Sequence, residues 1–573
     1  VRVLTENVFV CYIGEKWHAR AIFPVKTFLS TQLQLRCENV FNNKSIYKLF
    51  LIGYEKFSRG DLMLKWTKNE VVYQLYPQSF YDTNGDGIGD IKGITTKLDY
   101  LKSLGVGAIW ICPMYDSPNR DNGYDVRNYD KLQLRYGTDE QFDEMVAEAH
   151  KRNIKIIMDL VLNHTSNENP WFLQSSSSHT NDKADWYIWR DGKPDGTPPT
   201  NWGAIFGGSA WTYCQQRNQY YLHTFSPYQP DLNWQCDELK NALFAMVNRW
   251  IDRGVDGFRL DAINFIAKDL SPLVDGEINV GEYADIYPFV ANKPDAHKYL
   301  AELKAAIFAR GCLTVGEASS ATVSDALLFA NELDMIFQFE HVAMDVVEDW
   351  NVKPVDIVEL KKSFAKWQNG LFGRAWNALF WENHDQPRIV TRMGDENELR
   401  ESSAKMLATC MYFMQGTPFV YQGQELGMIN TRFYSKNEIR DIEVRNAWTK
   451  YVDGDLLSEK EFLERISRRS RDTARTPMCW SDSKNAGFTD GTPWIKINDK
   501  YKQINVAEQS SRPDSVLNYY KSLFALRAKL PVVVDGTFKL IDEQNAHVIA
   551  YERKNVEQTI AVVCNMTDKR LSF

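Results

Sequence analysis

The chain has few cysteines, and none of them are clustered. Nine cysteines stand singly along 573 residues, with no Cys-x-x-Cys spacing and no group of cysteines with histidines. A structural zinc site needs clustered ligands, and a disulfide framework is typical of short, cysteine-dense chains. Neither is indicated, so a reducing, cytoplasmic environment is expected.

Long hydrophobic runs and an excess of basic charge are also missing. No apolar stretch approaches the roughly 20 residues that cross a bilayer, and no basic, apolar leader opens the sequence. Acidic residues outnumber basic ones by 75 to 67, whereas a surface that binds nucleic-acid phosphates is normally basic. No phosphate-binding glycine loop occurs, so no organic cofactor is expected. The sequence predicts a monomer that binds neither membranes nor nucleic acids.

From Val71 onward, short β-rich runs alternate with amphipathic helical patterns such as 138–152, 238–253 and 298–310. Eight strands that alternate with helices predict an α/β protein with a (β/α)8 TIM barrel, whose chemistry lies on the loops after the strands. The predicted strands are 71–77, 106–114, 154–161, 255–261, 313–317, 335–341, 377–383 and 417–421.

Two long excursions interrupt the barrel, which is predicted to span 63–164 and 237–515. The first, 165–236, follows strand three and is rich in Trp, Tyr, Gly and Pro, so we expect a small inserted domain. The second, about 430–515, follows strand eight and is expected to form a subdomain. Residues 516–573 contain a helix and then alternating strands, which predict a C-terminal antiparallel β domain that is incomplete.

Residues 1–62 show no clear period, and Met63 leads directly into strand one. Our hypothesis is that Met63 is the native start and that 1–62 is an atypical N-terminal extension translated from upstream sequence. The alternative is a true, poorly ordered extension. Expressing the chain from Met63 tests the hypothesis, which a loss of folding or activity would contradict.

Carboxylates stand at the ends of four predicted strands: Asp159, Asp261, Glu317 and Asp385. Sugar-cleaving chemistry needs isolated carboxylates, one to attack the sugar and one to donate a proton. Arg259 lies two residues before Asp261, on the same face of the strand, and is expected to hold Asp261 ionised. Glu317 ends an apolar run, a setting that suits a general acid. The pattern predicts an enzyme that cleaves α-glucosidic bonds, although an Arg–Asp pair alone is often structural.

Two histidines accompany these acids. His164 follows Asn163 at the end of strand three, and His384 precedes Asp385. A single histidine is more often a satisfied core residue than a ligand contact. Two of them at matching strand ends indicate a binding site.

Oxygen-bearing residues at alternate positions follow strand one and resemble the first half of an EF-hand loop, with glycine sixth. Gly93 occupies position twelve, where an EF-hand has its bidentate Glu, so this is not an EF-hand. The mixed oxygen types favour a structural Ca²⁺ over Mg²⁺, and the alternative is a glycine-rich turn without a metal. The candidate metal ligands are Asp82, Asn84, Asp86, Ile88 and Asp90.

The strand ends resemble the characteristic regions of the α-amylase superfamily, which joins a (β/α)8 barrel to an inserted B domain and a C-terminal β domain. From Met63 to the end, the chain resembles the oligo-1,6-glucosidase and α-glucosidase group, whose cation loop the 82–90 segment also resembles. The stretches that show this are Asp121-Asn-Gly-Tyr-Asp125, Gln229-Pro-Asp-Leu-Asn233, Tyr421-Gln-Gly-Gln-Glu-Leu-Gly427 and Arg471-Asp-Thr-Ala-Arg-Thr-Pro-Met478.

The resemblance implies that Asp261 is the nucleophile, Glu317 the acid/base and Asp385 the transition-state stabiliser. The family retains anomeric configuration, so the first two carboxyl groups are expected about 5–5.5 Å apart. The resemblance also implies substrate-binding residues around the terminal glucose, with Arg475 near the mouth of the pocket: Asp121, Tyr124, His164, Arg259 and His384.

The expected function is an exo-acting α-glucosidase that releases glucose from the non-reducing end of small α-1,6-linked isomalto-oligosaccharides. In this group the residue after the nucleophile is Val in α-1,6 enzymes and Thr in many α-1,4 enzymes. Ala262 is apolar like Val, which favours the α-1,6 linkage, but it lacks the methyl groups of Val. One or two methyl groups in a pocket change the discrimination between substrates by only about 1–3 kcal/mol. An α-1,4- or sucrose-preferring enzyme stays open. Asp349 replaces a Lys associated with distal glucose binding in related enzymes, and the absence of that Lys weakens the case for long substrates. Cys479 is a second departure, since it replaces a Gln of the family pattern.

Three related activities are alternatives. Trehalose-6-phosphate hydrolases share nearly all the motifs, including the patterns at 376–381 and 383–388, and need a cationic phosphate site at the pocket mouth. Sucrose isomerases carry an Arg-Leu-Asp-Arg-Asp loop where this chain has Ile389-Val-Thr-Arg-Met-Gly394. Non-enzymatic transporter heavy chains span a membrane and often lack the acids that this chain has.

Overall fold

The β-strands of the protein fall into four sheets in the computed structural model, which describes residues 2–5, 8–13, 68–278 and 281–571. In chain order the strands are β1 (Arg2–Thr5), β2 (Val8–Ile13), β3 (Val72–Leu75), β4 (Ala108–Ile111), β5 (Tyr115–Asp116), β6 (Asn128–Leu132), β7 (Lys155–Val161), β8 (Trp189–Arg190), β9 (Trp211–Cys214), β10 (Gln219–Leu222), β11 (Gly257–Asp261), β12 (Leu313–Glu317), β13 (Met335–Phe337), β14 (Ala378–Leu379), β15 (Thr417–Tyr421), β16 (Thr537–Ile541), β17 (Val548–Lys554) and β18 (Thr559–Asn565).

Eight parallel strands form the barrel, in the order β13-β12-β11-β7-β4-β3-β15-β14. A parallel bridge between Ile336 of β13 and Asn377, next to β14, joins the two ends of this order and closes it. Each of the eight predicted strands is present, and the prediction of a (β/α)8 barrel is confirmed. The register of β11 against β7 sets Arg259 beside Asp159, which brings polar side chains from two strands together.

Helices cover the outside of the barrel, and the predicted patterns match them within a few residues. Helix α3 begins with a capping box between Thr138 and Gln141 and buries an apolar face. No helix in the described ranges is long and apolar enough to cross a membrane. The helices are α1 (Ile91–Thr96), α2 (Leu98–Leu104), α3 (Asp139–Lys151), α4 (Pro170–Ser177), α5 (Asp237–Asp252), α6 (Tyr287–Val290), α7 (Pro294–Ala306), α8 (Val323–Phe329), α9 (Ile357–Leu371), α10 (Ile389–Met393), α11 (Arg400–Tyr412), α12 (Ile442–Tyr451), α13 (Glu459–Arg469), α14 (Val506–Ser511), α15 (Val516–Arg527) and α16 (Val532–Asp535).

The insert after strand β7 contains helix α4 and a three-stranded antiparallel sheet, in the order β8-β10-β9. Its two ends meet at the carboxyl end of β7, where the backbone N–H of Leu232 donates to the carbonyl of Asn163 over 2.9 Å. A bridge between His164 and Asp231 adjoins this bond. The insert is therefore anchored at the carboxyl end of β7.

The C-terminal sheet is antiparallel and contains two strands from the N-terminal end of the chain. Its order is β1-β2-β18-β17-β16, with Val10 of β2 opposite Val562 of β18. The sequence pattern predicts no role in the fold for residues 1–62, but two short segments of them complete this sheet. Met63 lies outside the described residues, so the native-start hypothesis stays a prediction.

Candidate active site

A cavity of about 300 Å³ lies at the carboxyl ends of the barrel strands. Ile205, Phe206 and Phe225 of the insert form part of its wall, so the insert narrows the opening. Other residues predicted from the sequence lie behind this lining and contact it, as described below for Arg259, His384 and Arg475. The predicted residues that line the cavity are Asp121, Tyr124, His164, Asp261, Ala262, Glu317 and Asp385.

The guanidinium group of Arg259 binds three carboxylates. Its Nη1 lies 2.7 Å from Asp261 Oδ1 and 2.8 Å from Asp159 Oδ1, and its Nη2 lies 2.7 Å from Glu317 Oε2. The Tyr124 hydroxyl donates to the other oxygen of Asp159 over 3.0 Å. One buried arginine therefore fixes Asp261 and Glu317 relative to each other, with a single planar group between them.

Burial raises the pKa of Asp261 well above its ordinary value, and the nearby Glu317 and Asp159 raise it further against the opposing effect of Arg259. The sequence predicts that Arg259 favours the ionised form of Asp261, and Arg259 does lower this pKa, although burial and the two neighbouring carboxylates outweigh it. The pKa is raised because Asp261 is buried and because three carboxylates share one positive charge. Asp261 therefore loses its proton at a higher pH than an exposed aspartate does.

Asp385 lies between one histidine and two arginines. His384 Nε2 is 2.9 Å from Oδ2, while Arg475 Nη2 and Arg471 Nη1 are 2.6 Å and 3.5 Å from Oδ1. Burial would raise the pKa of Asp385, but His384 and the arginines hold it well below its ordinary value. Burial would likewise lower the pKa of His384, but Asp385 raises it to about 10. The pair is a carboxylate and an imidazolium at neutral pH, with the Tyr124 hydroxyl 2.6 Å from Nε2.

Replacing Asp385 by Asn is expected to destabilise the protein more near pH 6 than near pH 10. The folded pKa of His384, about 10, lies above its ordinary value of 6.5, so the stabilisation is complete below pH 6.5 and is lost as the pH rises to 10. The measurement is the Tm of wild type and D385N at both pH values, with a difference of several degrees expected at the lower one. Equal differences at the two pH values would contradict the raised pKa.

His164 and Asp121 are linked through the side chain of Gln229. Gln229 Nε2 donates to Asp121 Oδ2 over 3.1 Å and lies 3.2 Å from His164 Nε2. Burial, helped by the nearby charge of Lys268, lowers the pKa of His164 to about 3, while burial raises the pKa of Asp121. His164 is therefore neutral, unlike His384, and the two histidines offer different hydrogen-bonding groups to a ligand.

Several cavity residues were not predicted from the sequence. Arg471 and Glu443 line the cavity, as does Trp350, and Arg471 Nη2 donates to Asp441 over 2.5 Å. Burial raises the pKa of Glu443 to about 7, and Asp441 raises it as well. Arg471 stands in a stretch that carries the family resemblance, so that signal was available. Asp441 and Glu443 lie in the 430–515 excursion, where the only local signal is that of a helix start.

The five candidate metal ligands lie together in the loop between β3 and α1. The Asp82 carboxylate accepts three backbone N–H groups of its own loop, and the Asp90 side chain caps helix α1. The side chains of Asn84 and Asp86 are exposed. No group of three or more His, Cys, Asp or Glu side chains in the described part of the chain is arranged to hold a metal ion. A cation here would need the Asn84 amide oxygen and the Ile88 carbonyl in addition, a donor set that fits Ca²⁺.

Comparisons with known proteins agree with this architecture. The family model for the α-amylase catalytic domain matches residues 74–536. An oligo-1,6-glucosidase from Heyndrickxia coagulans is 46% identical over 522 residues, which are 89% of this chain and 94% of that protein. A trehalose-6-phosphate hydrolase from Bacillus subtilis is 42% identical over 516 residues, which are 89% of this chain and 91% of that protein.

The fold of this chain also matches the solved structure of a related enzyme. The crystal structure of trehalose-6-phosphate hydrolase from Bacillus licheniformis matches with a TM-score of 0.83 and 44% identity, covering 88% of this chain and 91% of that one. The match in sequence and in structure extends over the barrel and the residues of its cavity. The chain belongs to the α-amylase family of glycoside hydrolases.

Proposed function

We propose that the protein is an exo-acting, retaining α-glucosidase that releases glucose from the non-reducing end of short α-1,6-linked isomalto-oligosaccharides. The observation that supports this most is the binding of Asp261 and Glu317 to one guanidinium group inside a walled cavity. Two carboxyl groups held this way suit a double displacement, which needs a nucleophile and an acid/base close together. The 46% identity to an oligo-1,6-glucosidase supports the substrate class.

In the proposed mechanism Asp261 attacks the anomeric carbon while Glu317 protonates the glycosidic oxygen, so the leaving sugar departs as an alcohol. Glu317 then takes a proton from water, and the resulting hydroxide attacks the glucosyl ester and releases glucose with its α configuration. Arg259 orients both carboxyl groups. Asp385, kept ionised by His384 and Arg475, binds sugar hydroxyl groups and stabilises the positive charge that develops in each transition state.

The walls of the cavity support exo action and the α-1,6 preference. Phe206 and Phe225 of the insert close one side, which favours a pocket for a chain end over an open cleft. The backbone N–H of Ala262 donates to Glu317 Oε2 over 3.1 Å, and the Ala262 side chain lines the cavity. A small apolar side chain beside the acid/base leaves room for the flexible α-1,6 linkage without offering it a hydroxyl.

The test is a competition assay in which isomaltose, maltose and trehalose 6-phosphate are supplied at equal concentration. Preferred cleavage of isomaltose would support the proposal. Preferred cleavage of maltose would move the linkage to α-1,4, and preferred cleavage of trehalose 6-phosphate would support the second candidate below. Competition between two of these substrates at a time gives the same ratios of cleavage rates as the mixture of three. The reason is that competition measures the relative kcat/KM of the substrates.

The second candidate function is trehalose-6-phosphate hydrolysis, which two arginines that line the cavity favour. Arg468 and Arg469 both line the cavity, and in the described ranges neither forms an ion pair with a carboxylate, although Arg469 Nη1 donates to the carbonyl of Val347. An unpaired guanidinium at this position suits a phosphate group on the leaving sugar. Glu443 lines the same cavity and would repel a phosphate, which favours the neutral substrate.

A structural Ca²⁺ in the loop of residues 82–90 is part of the proposal. The residues that would hold it are Asp82, Asn84, Asp86, Asp90 and the carbonyl of Ile88, and it would supply positive charge that stabilises the fold of the loop. Removing the ion with a chelator is expected to lower the Tm, since an ion that binds only the folded state at 100 times its Kd adds about 2.7 kcal/mol. Calorimetry of wild type and D86N, with and without chelator, measures this.

The D86N variant is the matched control for chelation, because it keeps the loop length and removes one charged ligand. Its Tm is expected to be low already and to change little with chelator. A wild-type Tm that does not respond to chelator would contradict the metal site and favour a glycine-rich turn without a cation.

The cytoplasmic location and monomeric state are also proposals. They rest on scattered single cysteines and on a net charge of -8. Light scattering of the purified chain would measure the oligomeric state directly.

A further inference from the structure

The loop of residues 346–352, named the mouth loop below, has an unusual backbone at two neighbouring positions. Asp349 and Trp350 have φ values of 55° and 61°. This left-handed region is sterically unfavourable for residues with side chains, most of all for bulky ones, and it persists only where surrounding contacts impose it. Contacts from outside the loop must therefore hold this conformation.

Helices α12 and α13 supply those contacts. The Tyr451 hydroxyl donates to Asp349 Oδ1 over 2.7 Å, and Arg465 Nη1 donates to the Asp349 carbonyl over 2.8 Å. Arg469 Nη1 donates to the carbonyl of Val347 over 2.7 Å. The mouth loop is thus fixed at three points, and the Asp349 carboxylate is used in holding it.

These three contacts fix the position of the Trp350 indole. Its ring packs edge-on against Phe462, with centroids 6.2 Å apart, and the Arg469 guanidinium lies 5.5 Å from its centroid. Trp350 is half-buried and lines the cavity that also holds Asp261 and Glu317, of which Asp261 is buried. The partly exposed indole therefore borders the same cavity as the buried Asp261.

We propose that Trp350 is the binding platform for the leaving-group sugar, and that Asp349 is a positioning residue that holds the indole in place. This deepens the proposed function and rests on cleavage at Asp261 and Glu317. The C–H face of a pyranose ring packs well on an aromatic face. Arg468 lines the same cavity without an ion-pair partner among the residues described, and its N–H groups are available to the hydroxyls of that sugar.

The test compares two substrates that share the glucosyl group and differ in the leaving group: isomaltose and α-glucosyl fluoride. In W350A the ratio of kcat/KM for isomaltose to kcat/KM for the fluoride is expected to fall about tenfold, because only isomaltose has a leaving sugar to stack. W350F keeps an aromatic ring and should hold the ratio within about threefold of wild type. A control is Y434A, which removes a 67% exposed aromatic side chain outside the catalytic cavity and should leave the ratio unchanged.

The role of Asp349 is tested with a pair of variants at that position. Asn keeps an oxygen acceptor for Tyr451 and tolerates the left-handed region, so D349N should retain the wild-type ratio. Ala lacks the acceptor, so D349A should show part of the W350A effect, as a higher KM for isomaltose. An unchanged ratio in W350A, including the case of equal losses on both substrates, would overturn the platform. Equal behaviour of D349N and D349A would overturn the positioning role.

Failure of the platform and failure of the proposed function give different results. The substrate class is determined with the wild-type enzyme alone, which in the competition assay either cleaves isomaltose preferentially or prefers trehalose 6-phosphate. If wild type prefers trehalose 6-phosphate, that substrate takes the place of isomaltose in the comparison with α-glucosyl fluoride. The ratio of kcat/KM values is then expected to fall in W350A by the same factor. The role of Trp350 is judged only from the ratio of kcat/KM values in the variants.

Discussion

Replacing Asp261 by Asn is expected to lower kcat on isomaltose by at least about 10⁴-fold while leaving the fold intact. The amide is nearly the same size as the carboxyl group and still accepts a hydrogen bond from Arg259, which lies 2.7 Å away. It is too weak a nucleophile to form the covalent intermediate. The measurement is kcat together with the Tm and the circular dichroism spectrum, since a folded but inactive variant separates chemistry from stability.

The matched control for this variant is D256N, which makes the same substitution directly before strand β11, at its opposite end. Asp256 interacts with His150 and Lys155 on the outside of the barrel, away from the cavity. D256N should therefore keep most of the wild-type kcat. Near-normal turnover by D261N would refute the assignment of Asp261 as the nucleophile.

Replacing Glu317 by Gln is expected to have an effect that depends on the leaving group. For isomaltose kcat/KM should fall about 10²–10⁴-fold, because the glycosidic oxygen leaves poorly without a proton. For α-glucosyl fluoride the first step should be almost unaffected, since fluoride leaves without protonation. The second step then becomes slow, because no base activates water, so the glucosyl-enzyme should accumulate.

Rapid-quench kinetics with the fluoride substrate measure this difference. E317Q should show a fast release of about one equivalent of fluoride per enzyme, followed by slow turnover. Equal losses on isomaltose and on the fluoride would contradict the role of Glu317 as acid/base and would indicate that it only positions Arg259.

The barrel could be predicted from the sequence because each of its strands is a short β-rich run between helical patterns. Strand β11 was expected at 255–261 and lies at Gly257–Asp261, and the carboxylates at the strand ends indicated where the cavity would be. These are local signals. The same holds for helix α3, where Thr138 and Gln141 mark the start.

The features that could not be predicted depend on contacts between distant segments. Trp350 and Glu443 reach the cavity from the mouth loop and from the excursion after strand eight, and neither segment has a periodic pattern that fixes its path. Strand β2 was missed because its partner β18 lies at the other end of the chain. The raised pKa of Asp261 was not predicted because the sequence shows its neighbour Arg259 but neither its burial nor the packing of Asp159 and Glu317 around the same charge.

The most direct test of a double displacement at Asp261 is the identification of the covalent intermediate. A fluorinated α-glucosyl fluoride that forms the intermediate quickly and loses it slowly should label the enzyme with one sugar. Peptide mass spectrometry should place that sugar on Asp261, and D261N should remain unlabelled. A sugar attached to another residue, or turnover without any labelled enzyme, would contradict the proposed mechanism.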